Sequence, residues 1–327
     1  MLSRKGLAAA ATAAMLSFFG AVLPAVADVV LYSSNQPELL DMVCKGFEET
    51  SGIKVTTVRL GTGEAMKRIA AEKNNPLADI FWSGDISVLE AAKENFAPYD
   101  SPEAQGLPAG YVDPDKRWTA GNTHLMILMV NTKLVDEKEM PRSWTDILDP
   151  KWKDKVVMAD PAKSGSAYSQ IYGVYNLYGL DGLTKLANNV RTLDSSSLVY
   201  KGTAEGEFPV GITMEYAAYR YIAGGSDAVK MVYPSDGTIS APEGVALVAG
   251  GAHPKEARAF FDYLLSRETV SEIFRRFYRR PARTDVDDIQ GLPSIKTLKL
   301  IENNPAEANR VQKELLGRWR AMVLNKQ

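Results

Sequence analysis

Small hydroxyl and amide side chains recur at three places where an apolar run meets a helix-like stretch. Ser33-Ser34-Asn35 follows Val29–Tyr32, Ser83-Gly84-Asp85 follows Asp79–Trp82, and Lys163-Ser164-Gly165-Ser166-Ala167 precedes a helical pattern. In open α/β sheets, ligands bind beyond the carboxyl ends of strands, at helix N-termini. Free backbone N–H groups, hydroxyls and the positive end of the helix dipole there favour a phosphate or a carboxylate. Ser and Asn also cap helices with no ligand present, so each site alone reads either way. Three of them, spread over both halves of one chain, point to a ligand cleft. Ser33, Ser34, Ser164, Gly165 and Ser166 are the residues expected to hold an anionic group.

Catalytic patterns are missing. The chain has no G-x-S-x-G, H-E-x-x-H, Walker A or G-x-G-x-x-G motif. Its two histidines are His124, before the apolar run Leu125–Val130, and His253, beside Pro254 at a helix start and expected at the surface. His124 either lines a cleft or serves the fold. No His, Cys and carboxylate spacing reads as a metal site. Cys44 is alone and reads as a small buried hydrophobe in the stretch Leu39-Leu40-Met42-Val43-Phe47. The run Arg275-Arg276-Phe277-Tyr278-Arg279-Arg280, with Arg283 after it, reads as a solvated helix end with Phe277 turned inward, or as a partner-docking patch.

The elements that would position these residues follow from hydrophobic periodicity. Strands are expected at Val29–Tyr32, Lys54–Leu60, Asp79–Trp82, Leu125–Val130, Val156–Met158, Val210–Thr213 and Val245–Val248. Helices are expected from Pro37 to about Thr50 (stopped by Gly52), at Glu64–Lys73, up to Ala92, at Ser169–Tyr178, at Asp181–Asn189, and from Pro254 onward. Repeated strand–turn–helix units predict an α/β fold with a mainly parallel sheet. With no linker in the sequence, two lobes would have to be joined by crossing strands, and Leu125–Val130 and Val245–Val248 are the candidates.

Composition sets the class. The 327 residues carry 45% apolar and 24% charged side chains and a net charge of −2, ordinary for a globular protein and without the basic excess of a nucleic-acid binder. Arg4 and Lys5, the apolar run from Gly6 to Val26 and Ala25-Val26-Ala27 have the parts of a secretory signal peptide cleaved after Ala27. Cleavage would remove both cations and leave a net charge of −4. Export is the expectation, and the resemblance described next implies the periplasm as the destination.

Longer motifs carry a resemblance. Pro141-Arg142-Ser143-Trp144, continuing through Leu148, Pro150 and Trp152 to Val156, resembles the P-x-S-W-x-D-L-L-x-P-x-W-K-x-K-[IV] signature of ferric-binding-type periplasmic solute-binding proteins. Val232–Thr238 with Pro242–Leu247 is similar to that family's return crossover, and Arg279–Val286 to its late R-x-D-V element. The resemblance implies a periplasmic-binding-protein-like fold of type II, with two parallel-rich lobes joined by crossing strands. Residues 28–127 and 246–327 would form lobe 1 and residues 128–245 lobe 2, after a signal peptide at 1–27. It further implies capture of a small anionic ligand for an ABC permease in the inner membrane, by a monomer without enzymatic activity, cofactor, resident metal or nucleic-acid partner.

The resemblance also bears on the ligand. The family's iron ligands fall at Gln36, Gly84, Tyr216 and Ala217, of which Tyr216 alone matches, whereas its anion-binding turn is kept at Ser164–Ala167. This favours an organophosphate or organophosphonate, such as a sugar phosphate or aminoethylphosphonate, over ferric iron. An exported phosphate-ester hydrolase is the remaining alternative. Asp85 and Glu215, at parallel positions in the two lobes, would meet a cationic or hydroxylated end of the ligand, with Trp82 and Tyr216 as a stacking wall. Otherwise Asp85 caps its helix and Glu215 pairs with Arg220 at the surface. Asn35, Ser83, Thr123 and Ala167 complete the expected ligand contacts.

Overall fold

The computed structural model describes residues 28–108 and 110–326. The expected signal peptide and its cleavage site lie outside the described residues. Strand and helix alternate from the start: β1 (Val29–Ser33), α1 (Pro37–Ser51), β2 (Val55–Arg59), α2 (Thr62–Ala71), β3 (Ile80–Asp85), α3 (Ile86–Ala91) and the short β4 (Phe96–Ala97). Helix α1 opens on Pro37, whose missing N–H is no loss in a first turn, and stops at Gly52 with φ 71°. Strand β3 runs on through Ser83-Gly84-Asp85, beyond the expected end at Trp82.

The middle comprises β5 (Thr119–Asn131), α4 (Trp144–Ile147), β6 (Val156–Ala159), α5 (Gly165–Asn189), β7 (Val190–Leu193), α6 (Ser196–Glu205), β8 (Val210–Met214), α7 (Glu215–Ala223), β9 (Val229–Val232) and β10 (Thr238–Val248). Helix α5 breaks at Gly179, where φ is 64° and ψ −160°, so the two expected helices are halves of one kinked element. After α8 (Pro254–Leu265) and α9 (Arg267–Phe277) the chain leaves helix for β11 (Arg280–Pro281) and β12 (Leu300–Glu302), before α10 (Pro305–Leu324). The helix expected from Pro254 onward is therefore interrupted between Phe277 and Pro305.

The sheet order is β2-β1-β3-β10-β5-β8-β6-β7. β2, β1 and β3 are parallel, as are β8, β6 and β7. Between these two sets stand β10 and β5, antiparallel to each other and to both neighbours. β5 pairs with β10 through Thr119–Met126 and then with β8 through Met126–Val130, while β10 pairs with β3 through Glu243–Leu247. Both strands thus pass from one parallel set to the other, and the molecule has two lobes joined by crossing strands. The expected runs at 125–130 and 245–248 are the apolar ends of these two elements. Every residue of both strands is buried.

Each lobe closes its own core. In the first, Leu39, Phe47, Ile80, Trp82 and Phe260 pack on one face of the sheet, while Tyr32, Phe81, Leu89 and Trp118 pack on the other. Trp82 and Phe81 are neighbours in β3 and alternate faces, as the strand pleat requires. The second core gathers Met126–Val130, Trp144, Trp152, Tyr168 and Ile212. Ala308, Leu315 and Trp319 of α10 are buried in this second core, so the C-terminal helix departs from its expected place in lobe 1. The Tyr168 hydroxyl donates to the Ala308 carbonyl and fastens it there. Cys44 is partly buried against the first core, which pushes its thiol up to about 12. Among the described residues no helix is long and apolar enough to cross a membrane.

Candidate ligand-binding cleft

A cleft of about 680 Å³ opens between the lobes, where β1, β3, β8 and the loop after β6 end. On the second lobe's side two helix N-termini converge. Ser164 is the N-cap of α5, its Oγ accepting from the Ala167 N–H at 3.4 Å, and Ser195 caps α6 by accepting from Leu198 N–H. The hydroxyls of Ser164, Ser166 and Ser196 form a triangle with sides of 3.0, 2.9 and 3.0 Å. Three hydroxyls at two dipole ends are a donor set for a tetrahedral oxyanion. Gly165 faces the first lobe here: a Cβ on it would stand in ordinary contact with Val88 Cγ2 at 3.4 Å and Asp85 N at 3.5 Å.

The first lobe faces it with a second hydroxyl group. Ser34 Oγ lies 3.1 Å from Thr62 Oγ1 and also bonds Ser83 Oγ. Ser83 has φ 136°, a conformation that costs a non-glycine residue about 1–3 kcal/mol and is typically retained at functional sites. Between the two walls Asp85 receives hydrogen bonds from Ser87 in its own helix and from Ser169 of α5 at 2.7 Å. Burial pushes its carboxyl above the usual carboxylate range against the pull of those bonds. Gln36 Nε2 donates to Tyr200 Oη across the mouth at 3.3 Å.

The floor is a buried charged cluster. In β10 the pairing register shifts at Glu243, a bulge that turns this side chain toward the cleft. Tyr278, left-handed at φ 60°, ends α9 and sends Arg279 inward. Arg279 Nη1 donates to Glu243 Oε2 at 2.8 Å, its Nη2 to Tyr216 Oη at 3.2 Å, and His124 Nε2 stands 3.0 Å from the same Glu243 oxygen. Burial alone would raise the Glu243 carboxyl, but the Arg279 guanidinium and His124 hold it down to about 2. Burial drives the Tyr216 phenol well above its usual range. The Arg279 guanidinium also lies 4.3 Å from the Tyr216 ring centre.

Of the expected contacts, Ser34, Asn35, Ser83, Asp85, Ser164, Gly165, Ser166 and Tyr216 line the cleft. Five do not. Ser33 is fully buried, donating to the Trp82 carbonyl at 2.5 Å, and Trp82 packs in the first core. Thr123 is buried against Tyr111, and Ala167 is buried in the second core. Glu215 is 2% exposed and turned away from the cleft, held by Arg280 through 2.7 and 2.9 Å bonds and by Tyr233. It therefore lies outside the cleft lining and pairs with Arg280, not with Arg220.

The basic run divides as well. Arg275 and Arg276 are exposed and paired with Glu272, Arg279 and Arg280 are buried, and Arg283 is tied to Glu103 and Asp285. Five free arginines for docking do not exist. His253 is half-buried and bonded to Asp79, not a free surface residue.

Several cleft residues are not among the ligand contacts expected from the sequence: Ser195, Ser196 and Ser197 at the start of α6, Gly61–Gly63 at the start of α2, and Glu243 and Arg279 on the floor. Three consecutive serines opening a helix are a usable signal. Nothing local in the sequence marks Arg279. Among the described residues no cluster of three or more His, Cys, Asp and Glu side chains could hold a metal.

The family model of bacterial extracellular solute-binding proteins matches residues 75–309. A putative 2-aminoethylphosphonate-binding periplasmic protein of Salmonella typhimurium is 25% identical over 255 residues, covering 73% of each chain. An Fe(3+)-binding periplasmic protein of Serratia marcescens is 24% identical over 273 residues, covering 79% of each. The structure is similar to that of the periplasmic binding protein AfuA from Actinobacillus pleuropneumoniae with fructose-6-phosphate bound, with TM-score 0.86 and 26% identity over 91% of this chain and 99% of that one. A mixed sheet in two lobes, a polar cleft between them and a family match over most of the chain lead to one placement: the chain belongs to the bacterial extracellular solute-binding protein family.

Proposed function

We propose that this protein is the periplasmic binding component of an ABC importer and captures a small organophosphate or organophosphonate between its lobes. The observation that carries this reading is the triangle of Ser164, Ser166 and Ser196 hydroxyls at the N-termini of α5 and α6. Hydrogen bonds to a charged group contribute about 1.5–3 kcal/mol each. Three of them, with the dipoles, offset ordering costs enough for roughly micromolar capture. The relatives named for aminoethylphosphonate and solved with fructose-6-phosphate support the same ligand class. A signal peptide cleaved after Ala27 would export the chain, a permease in the inner membrane would receive the ligand, and the protein would act as a monomer without turnover.

Ferric iron is the second reading, favoured by the Serratia relative and by Tyr216 in the cleft. Fe(III) needs anionic oxygen donors. Here the Tyr216 phenol is driven up by burial and already accepts from Arg279. A thermal-shift screen decides between them. At a hundredfold excess over Kd a ligand adds about 2.7 kcal/mol, or ~4 °C for a domain of this size. We expect that shift with fructose 6-phosphate or 2-aminoethylphosphonate and none with ferric citrate. A shift with ferric citrate alone would overturn the proposal, and phosphate released from a bound ester would replace it with a hydrolase.

A further inference from the structure

Asn35 is only 1% exposed and lines the cleft, yet neither its Oδ1 nor its Nδ2 has a hydrogen-bond partner. Leaving both ends of a buried amide unpaired costs free energy. The neighbours keep it in place. The Asn35 N–H donates to Ser33 Oγ at 3.1 Å, Ser34 is tied to Thr62 and Ser83, and Gln36 is tied to Tyr200. The side chain is therefore pre-positioned with a vacant donor and a vacant acceptor.

We propose that Asn35 reads a hydroxyl group on the carbon skeleton of the ligand, and that the cleft selects hydroxylated organophosphates over aminoalkylphosphonates. The inference rests on the proposed phosphoryl capture and adds the chemistry of the ligand's other end. A carboxamide offers a donor and an acceptor, and a hydroxyl offers the complementary pair. A deprotonated phosphoryl oxygen only accepts and would leave Oδ1 empty. An ammonium group only donates and would leave Nδ2 empty.

The carboxylates of the cleft agree. Glu243 is committed to Arg279 and His124, Asp85 to Ser87 and Ser169, and Asp194 to Lys163. Glu64, exposed in the first turn of α2, is left at the rim. No carboxylate in the depth of the cleft is free to receive a cation.

Titration calorimetry of the wild type and of Asn35→Leu with fructose 6-phosphate, 2-aminoethylphosphonate and inorganic phosphate tests this. The wild type is expected to bind fructose 6-phosphate more tightly than 2-aminoethylphosphonate. Asn35→Leu should weaken fructose 6-phosphate by about 10- to 100-fold, change the other two by less than about threefold, and leave the ligand-free melting temperature unchanged or raised. Equal loss for all three probes, no loss for any, or a lower melting temperature in both Asn35→Leu and Asn35→Ser would overturn the inference and make Asn35 a structural residue. Those outcomes leave phosphoryl capture standing. Failure of the wild type to bind any of the three would remove both readings together.

Discussion

At the scale of single residues, the decisive groups are charges taken out of water. Glu243 and Arg279 are 1% and 2% exposed, and removing one partner of such a pair typically costs about 3–5 kcal/mol because the other charge is left buried. The pair also predicts a pH dependence. Glu243 titrates near 2 in the fold against an ordinary 4.5, so its ionised form contributes roughly 3 kcal/mol. That contribution is fully present above pH 4.5 and is lost as pH falls through 2. Urea midpoints measured from pH 5 to 2 should fall more steeply for the wild type than for Glu243→Gln, and parallel curves would refute the assignment. Glu215 makes a different forecast. Because it pairs with Arg280 away from the cleft, Glu215→Gln should lower stability by about 3–5 kcal/mol without changing the preference among phosphorylated ligands, as paired urea and calorimetric titrations would show. Neither pair was legible in the sequence. Arg279 and Arg280 sit in a run that looks like a solvated helix end, and a left-handed Tyr278 is what turns them inward. Serines before helices were legible, since capping and anion binding use the same groups.

Elements show the same division between local and long-range information. Apolar runs revealed the ends of β5 and β10, yet Thr119–His124 and Thr238–Gly244 do not read as strand. Their buried polar residues, among them Asn122, His124, Ser240 and Glu243, are tolerated because the opposite strand and the floor cluster surround them. The helix N-termini at the cleft can be separated by mutation. Ser164 both caps α5 and presents a hydroxyl, whereas Ser196 presents a hydroxyl while Ser195 does the capping. Ser164→Ala should therefore lose about 1 kcal/mol of stability as well as roughly tenfold in affinity for fructose 6-phosphate. Ser196→Ala should lose the affinity alone. Calorimetry beside urea melts reads both, and a stability loss in Ser196→Ala as large as that in Ser164→Ala would break the distinction.

For the whole molecule the question is how two lobes hold each other across the cleft. Asp85 to Ser169 and Gln36 to Tyr200 are direct bonds between lobes, and α10 is buried in the second core while lying against α3 of the first. At Gly63 an added Cβ would stand 3.0 Å from the Ala162 carbonyl oxygen across the cleft. Backbone cannot swing aside as a side-chain tip can, so a larger residue there pushes the two facing walls apart by a few tenths of an ångström. Gly63 lies in the first turn of α2, where valine is at least as helix-compatible as glycine. Gly63→Val should consequently leave the ligand-free fold as stable as before while penalising the closed arrangement. A ligand shifts a two-state equilibrium only by its differential affinity for the two states. A closure penalty of about 1.4 kcal/mol would thus appear as tenfold weaker binding of fructose 6-phosphate, with a more open particle in small-angle scattering. Unchanged affinity together with an unchanged scattering profile would mean that capture does not depend on Gly63 and Ala162 coming together.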